Sequence, residues 1–379
     1  MSSSVAKKGS GLNISAIFNS RPEITALVVM IVGSLLISQV GGMLRFEQWV
    51  ELTIAGLSLG LILFMMSSGM TLVFGLMGVM NLAHGAFIAF GAYVGYEMIM
   101  IIERSTQVYE TVPIMRRGVQ MIGGDGVPMV RTRLVENGWF YNTHIFSTFM
   151  TLFLGILFAV IIAAIAGFIF ERFVIKPVYG NALKQILVTM GGGIIIRELL
   201  IAGWRAPKEF PKADFLGGMT FLAGIPIEKY RIFAGIMGLI VFLGTLLALN
   251  FTKIGLLIRA GVESREMVEV HGYRINLIFI GVFVAAIMLA ATGGVFWGQY
   301  QQLVDFDMGN TLLNLVIVSI IVGGMGSIYG CFIGSILITL IMNYMNAMLP
   351  VLGGEMAAVV LMVAVLMWRP QGLKPITAH

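Results

Sequence analysis

INLIFIGVFVAAIMLAATGGVFWG, residues 275–298, contains no Asp, Glu, Lys or Arg. At 1.5 Å rise per residue, a helix of this length reaches about 36 Å, enough to cross a hydrocarbon core of about 30 Å. Similar apolar segments occupy 24–40, 50–74, 79–102, 146–170, 184–203, 231–251, 311–324, 328–348 and 354–368. The expected architecture is therefore all-α: a polytopic membrane protein with about ten transmembrane or partly spanning helices. Segments 311–324 and 354–368 are the shortest and are expected to tuck against neighbours or cross only partly. The domain plan is a cytoplasmic N-terminal segment 1–23, a transmembrane domain 24–368 and a cytoplasmic tail 369–379.

Composition agrees. Of the 379 residues, 58% are hydrophobic and 11% charged, against about 25% charged in soluble domains. The mean hydropathy is +0.94. So little polar surface cannot cover a water-soluble globule, so the excess must face lipid. The net charge of +5 sits in short clusters between apolar runs, which mark topology rather than a nucleic-acid surface. Inner clusters such as Arg172, Lys176, Lys184, Lys253, Arg259, Arg265, Arg274, Arg369 and Lys374 favour both termini in the cytoplasm. Lys7, Lys8 and Arg21 precede the first apolar run without a small-x-small cleavage site, so that run is expected to stay as an uncleaved helix. The single cysteine, Cys331, lies within an apolar segment and reads as a small buried hydrophobe.

Familiar enzyme chemistry is missing from the sequence. There is no Gly-Lys-Ser/Thr phosphate loop, no His-Glu-x-x-His pair and no Gly-x-Ser-x-Gly elbow. Gly324-x-Gly326 begins like a dinucleotide fingerprint, but Gly330 falls one position late. No metal site and no cofactor is expected in this chain. An intramembrane hydrolase built on Ser68 or His84 is a weak alternative.

Polar and helix-breaking residues at membrane depth mark candidate positions for a solute path, because they are costly there and face cavities or partners. The first group is Ser67, Ser68, Gly69 and Thr71, continuing to Asn81 and His84. Asn81 and His84, three apart, are expected on one helix face, lining a path or hydrogen-bonding a neighbouring helix. The second is Thr189 with Gly191, Gly192 and Gly193, where three glycines should weaken a helix, followed by Arg197 and Glu198. Adjacent residues on a helix do not face each other, so Arg197 and Glu198 are expected to have different partners. Arg197 either pairs inside the bundle or snorkels to the interface. The third is 323–330, with Gly324, Gly326 and Gly330, expected to be a tight helix reversal or break. Gly56/Gly60, Gly91/Gly95, Gly294/Gly298 and Gly326/Gly330/Gly334 have the spacing of close helix packing.

Two hydrophilic stretches interrupt the helices. Residues 103–145 carry Pro113, Pro128 and 123–126 Gly-Gly-Asp-Gly, and read as an external loop that forms a lid, a docking surface or a plain connection. Residues 253–275 contain a short surface helix around Glu263–Glu269 with Gly272 as its stop, a segment suited to docking another protein or to lying at the interface.

Four blocks resemble the branched-chain amino-acid ABC transporter permease family of the Leu/Ile/Val type: GMTLVFGLMGVMNLAHG (69–85), RAGVESREMVEVHGY (259–273), VGGMGSIYG (322–330) and WRPQGL (368–373). They occur in the family's order. The resemblance implies an ABC importer permease fold and a non-catalytic subunit moving branched-chain or related amino acids across the inner membrane. It also implies its partners: two cytosolic ATPases that use ATP and Mg, a second and paralogous permease, and an external substrate-binding protein. On the resemblance, Glu263, Arg265, Glu266, Glu269 and Gly272 fall on the ATPase-coupling segment, and Asn81, His84 and Gly85 near the translocation path. The chain departs from the family pattern in its long 103–145 loop, in Val268-Glu269 and in the charged pair Arg197-Glu198. A stand-alone channel or secondary transporter for a small polar solute such as urea or an amide is the alternative.

Overall fold

A computed structural model describes residues 21–40, 44–78, 81–106, 109–113, 115–116, 119–120, 130–134, 144–222, 224–263, 265–348 and 353–374. Ten long helices form the bundle: α1 Pro22–Val40, α2 Phe46–Met77, α3 His84–Thr106, α4 His144–Phe170, α5 Ala182–Trp204, α6 Lys229–Phe251, α9 Ile275–Gln301, α10 Met308–Gly323, α11 Ile328–Met348 and α12 Gly353–Trp368. Two short helices, α7 Lys253–Glu263 and α8 Arg265–Val270, join α6 to α9. Among the described residues, seven helices are long and apolar enough to cross a membrane. The apolar runs Pro22–Ile37, Met308–Gly323 and Gly353–Trp368 are shorter. Two of these are the segments expected to be short. α10 tolerates its 16 residues because nine of them are buried, including Leu312, Val316, Ser319 and Ile320. A helix solvated by protein need not match the thickness of the bilayer.

The helices agree with the all-α expectation, and short strands accompany them at the connections. Among the described residues, eight short strands pair into four two-stranded ladders: β1 Tyr109–Pro113 with β4 Val130–Leu134, β2 Met115–Arg116 with β3 Val119–Gln120, β5 Lys208–Glu209 with β8 Leu303–Val304, and β6 Met219–Leu222 with β7 Ile225–Glu228. Two of the ladders lie within the 103–145 segment, where Val130 and Thr132 are residues of high strand propensity. The connections at this hairpin end of the bundle are thus partly ordered by backbone pairing, while α7 and α8 lie at the opposite end.

α2 is the axis of the bundle. Ile62 to Met66 are fully buried, and 72% of its apolar window is covered, against 28% for α4, 17% for α6 and 11% for α5. Close backbone approach is what the glycine pattern delivers. A side chain at Gly56 or Gly60 would meet α11 at 2.8 Å, at Leu340 and Ile336 respectively. One at Gly91 would run into the backbone of Ala291, and one at Gly294 into that of Ile88. Gly326 does not belong to such a stripe. It lies in the turn between α10 and α11, at φ 81°, next to Gly324 at φ 109°.

That turn is a tight reversal, as expected of 323–330, and it has an unforeseen partner. The main chain after α12 folds beneath it: Leu373 N donates to Val322 O (3.0 Å) and Lys374 N to Gly323 O (2.9 Å). These are carbonyls that the end of α10 leaves without helical partners. The blocks at 322–330 and 368–373, far apart in sequence, therefore form one unit.

Candidate translocation path and coupling surface

The hydroxyls of the first polar group turn back onto their own helix. Ser67 Oγ donates to Leu63 O (2.8 Å), Ser68 Oγ to Met65 O (2.9 Å) and Thr71 Oγ1 to Ser67 O (2.8 Å). Ser319 Oγ of α10 lies 2.8 Å from Ser67 Oγ, tying the two helices together. Gly69 allows α2 to meet the backbone of Ala286 on α9. All three hydroxyl groups are fully buried.

Asn81 and His84 do not share a helix face. α3 begins at His84, and Asn81 sits in the turn before it. Asn81 Oδ1 accepts from Ala83 N (3.1 Å) and its carbonyl from His84 N (3.1 Å). An Asn side chain that bonds the backbone two residues on favours a turn over a continuing helix, which is why the periodic reading failed here. His84 Nε2 donates to Met66 O (2.9 Å) on α2, so the ring's other nitrogen, Nδ1, is a bare acceptor. His84 Nδ1 and Asn81 Nδ2 are both buried without a hydrogen-bond partner. Thr189 on α5 joins the same junction: its Oγ1 donates to Ile186 O (3.1 Å) and accepts from Leu82 N (3.3 Å). The turn before α3 is thus where α2, α3 and α5 meet. Next to it, Gly85 and Gly309 bring α3 and α10 into backbone contact.

The glycine triplet does not break α5, which runs continuously from Ala182 to Trp204. Its three glycines differ in surroundings. Gly192 lies under the ring of Phe170, Gly193 would bring a methyl 3.3 Å from Ala83 Cα, and Gly191 has nothing within 4 Å. Packing at two of the three positions, together with the capping of Lys184 N by Asn181 Oδ1 (3.0 Å), holds a helix that composition alone would weaken.

Arg197 and Glu198 likewise depart from expectation. They pair with each other, Nη1 to Oε1 at 2.9 Å, while Arg197 Nε donates to Asp307 Oδ1 at 2.9 Å. A long guanidinium reaches a neighbour in sequence that helix geometry alone does not point at it. Asp307, directly before α10, escaped the sequence reading. The signal for it was the uncompensated cation on α5, which requires an acid or water. Arg197 borders a cavity of about 300 Å³ between α3, α5 and α10, together with Gly193, Gly309 and Asn310. Of the candidate path residues, Arg197 reaches this cavity and Glu198 is exposed beside it; Ser68, Thr71, Asn81, His84 and Thr189 are buried behind it.

A second feature escaped the sequence. α4 passes into one π-helical turn, Glu171–Ile175. The fully buried Glu171 accepts a short hydrogen bond from Tyr179 OH through Oε1, and Oε2 has no partner. A lone acidic residue at the end of an apolar run gave no indication that it would face inward.

The coupling segment folds as two helices rather than one. α8 ends as anticipated at Gly272, at φ 82°, where Gly272 N donates to Glu269 O (2.9 Å) and Tyr273 N to Val268 O (3.3 Å). Val268 is the anchor of α8, buried against Phe279 and Val282 of α9. Glu269 is exposed. The side chains of Glu263, Arg265 and Glu266 lie outside the described residues, as do the termini 1–20 and 375–379 and much of 103–145.

The family described as "Branched-chain amino acid transport system / permease component" matches residues 52–368, from α2 to the end of α12. The chain belongs to this family. Among its relatives, the high-affinity branched-chain amino acid transport system permease protein BraD of Pseudomonas aeruginosa is 22% identical over 330 residues, covering 86% of this chain and 95% of BraD. LivH of Escherichia coli (strain K12), with the same description, is 21% identical over 336 residues, covering 87% and 96%. The xylose/arabinose import permease protein XylH of Sulfolobus acidocaldarius is 28% identical over 175 residues, 43% of this chain and 46% of its own. No solved structure matches. The chain is thus a permease subunit of an ABC importer, a multi-pass protein of the inner membrane that works with ATPase and binding-protein partners. None of these relatives is described as a stand-alone channel or secondary transporter.

Proposed function

We propose that this permease moves branched-chain amino acids, or closely related small solutes, inward by alternating access, along the face formed by α3, α5 and α10. The observation that carries this reading is the cluster of Arg197 and Glu198 on α5, the least covered of the seven candidate spans, with Asp307 at the start of α10. Charged groups inside a membrane span face a water-lined space or another protein rather than lipid. That face therefore opposes a second permease subunit, and the small cavity beside Gly193 and Gly309 is one wall of the path. The buried junction of Asn81, His84 and Thr189 fixes the angle between α2, α3 and α5 behind that wall. The wall is mostly apolar, which suits passage, since tight binding along a path slows release.

The subunit itself catalyses no covalent step and holds no cofactor. Two cytosolic ATPases bind ATP and Mg and dock on α7 and α8. With both termini in the cytoplasm, the hairpin end is external and receives the binding protein, and motion enters through Val268, which seats α8 on α9. The test is uptake of labelled leucine into proteoliposomes holding the whole complex. ATP-dependent accumulation is expected, lost together with ATPase association when Arg265 and Glu266 are replaced by Ala. Uptake that continues without ATP, or with both replacements in place, would overturn the reading.

A further inference from the structure

A cavity of about 700 Å³ lies apart from the one beside α5. It opens at the hairpin end, inside a single subunit, between α2, α9, α10, α11 and α12. Its volume falls within the range of small-molecule sites. Its polar wall comprises Asp305, Glu355, Asn343 and Asn346, and its aromatic wall Trp297 and Tyr300. The buried Leu63 and Leu312 close its depth.

The charges on this wall are one-sided. Among the described residues, Asp305 and Glu355 are its only carboxylates, and no Lys or Arg lines it. Lys212 pairs with Glu228 and lies over the Tyr300 ring, 6.0 Å from its centre, and Arg231 pairs with Glu51 and Glu228. Among the described residues, neither Asp305 nor Glu355 has a basic partner. Asp305 Oδ1 accepts from the backbone of Asp307 (2.6 Å) and Met308 (2.8 Å), which fixes the carboxylate in place. Carboxylates beside the Trp297 ring over an apolar depth are the features that recognise an organic cation: charge-assisted hydrogen bonds, ring quadrupole and room for an alkyl chain.

We propose that this cavity is a binding site for the ammonium group of a small aliphatic amine, held within one permease subunit and separate from the α5 face. An added carboxylate on the ligand weakens binding, because nothing on the wall neutralises it. The proposal does not depend on the importer reading, and its test needs neither ATP nor partner subunits.

The experiment is equilibrium binding to the full chain in lipid nanodiscs, with empty nanodiscs as the partition control. The probes are radiolabelled isoamylamine, isovalerate and isoamyl alcohol, which share a branched carbon skeleton and differ in charge. Saturable binding of the amine is expected, with the alcohol weaker by about tenfold or more, the worth of one charge-assisted hydrogen bond, and no saturable binding of isovalerate. Glu355→Gln and Asp305→Asn should each weaken amine binding. Glu355 is exposed at the rim, so its replacement does not threaten folding, and Asn at 305 keeps the acceptor that caps the backbone. Equal binding of all three probes would reveal an apolar void, and amine binding unchanged in both variants would remove the carboxylates from recognition. Either result overturns the proposal.

Discussion

At the residue scale, His84 and Arg197 are both polar groups in membrane-spanning helices, yet they do different work. His84 is fully buried and bridges to Met66 O. His84→Leu removes one interhelical hydrogen bond, and such bonds are worth about 0.6–1.7 kcal/mol in membranes. The expected outcome is a modest fall in the thermal midpoint of the detergent-solubilised chain with little change in ATP-driven uptake. A large loss of uptake at unchanged stability would instead place His84 in contact with the solute. Arg197 carries the opposite expectation. Its partners Glu198 and Asp307 are well exposed, so the cluster adds little to stability. Arg197→Met should leave assembly intact and lower leucine uptake severalfold, with partial recovery in Arg197→Lys, which keeps charge but not the forked geometry.

At the scale of elements, helix packing makes neighbouring glycines inequivalent. Gly191→Ala has open space around it and should stabilise α5 by about 0.5–1 kcal/mol, the helix propensity difference. Gly192→Ala drives a methyl into the Phe170 ring and should cost about 1–3 kcal/mol, as overpacking does. Thermal unfolding of the two variants side by side checks the contrast, which composition cannot foresee. α8 is likewise held by one contact. Val268→Asp buries a charge against Phe279 and Val282, so α8 should leave its seat. Co-purification of the ATPases should then fall while the membrane bundle stays folded, because the bundle's own core lies elsewhere.

At the scale of the whole molecule, the terminal block is a structural part of the bundle. Removing the chain after Arg369 exposes the carbonyls of Val322 and Gly323, which Leu373 and Lys374 satisfy. Each unmet carbonyl costs about 1–3 kcal/mol if it stays dry. The truncated chain should show a clear drop in thermal midpoint, and a truncation that melts like the intact chain would show that water replaces the tail. Hydropathy and span length identified the helical bundle, because lipid imposes apolar stretches of fixed length whatever their neighbours. The glycine spacing of α2, α3 and α9 and the stop at Gly272 were legible for a similar reason: each depends on one helix or one turn. The partner of Arg197, the turn at Asn81, the continuity of α5 through Gly191–Gly193, the inward-facing Glu171 and the joining of 322–330 to 368–373 were decided only by tertiary structure. In each case the deciding energy comes from an atom more than a helix turn away in sequence, or from a side-chain bond competing with the helix. Periodicity carries no record of either.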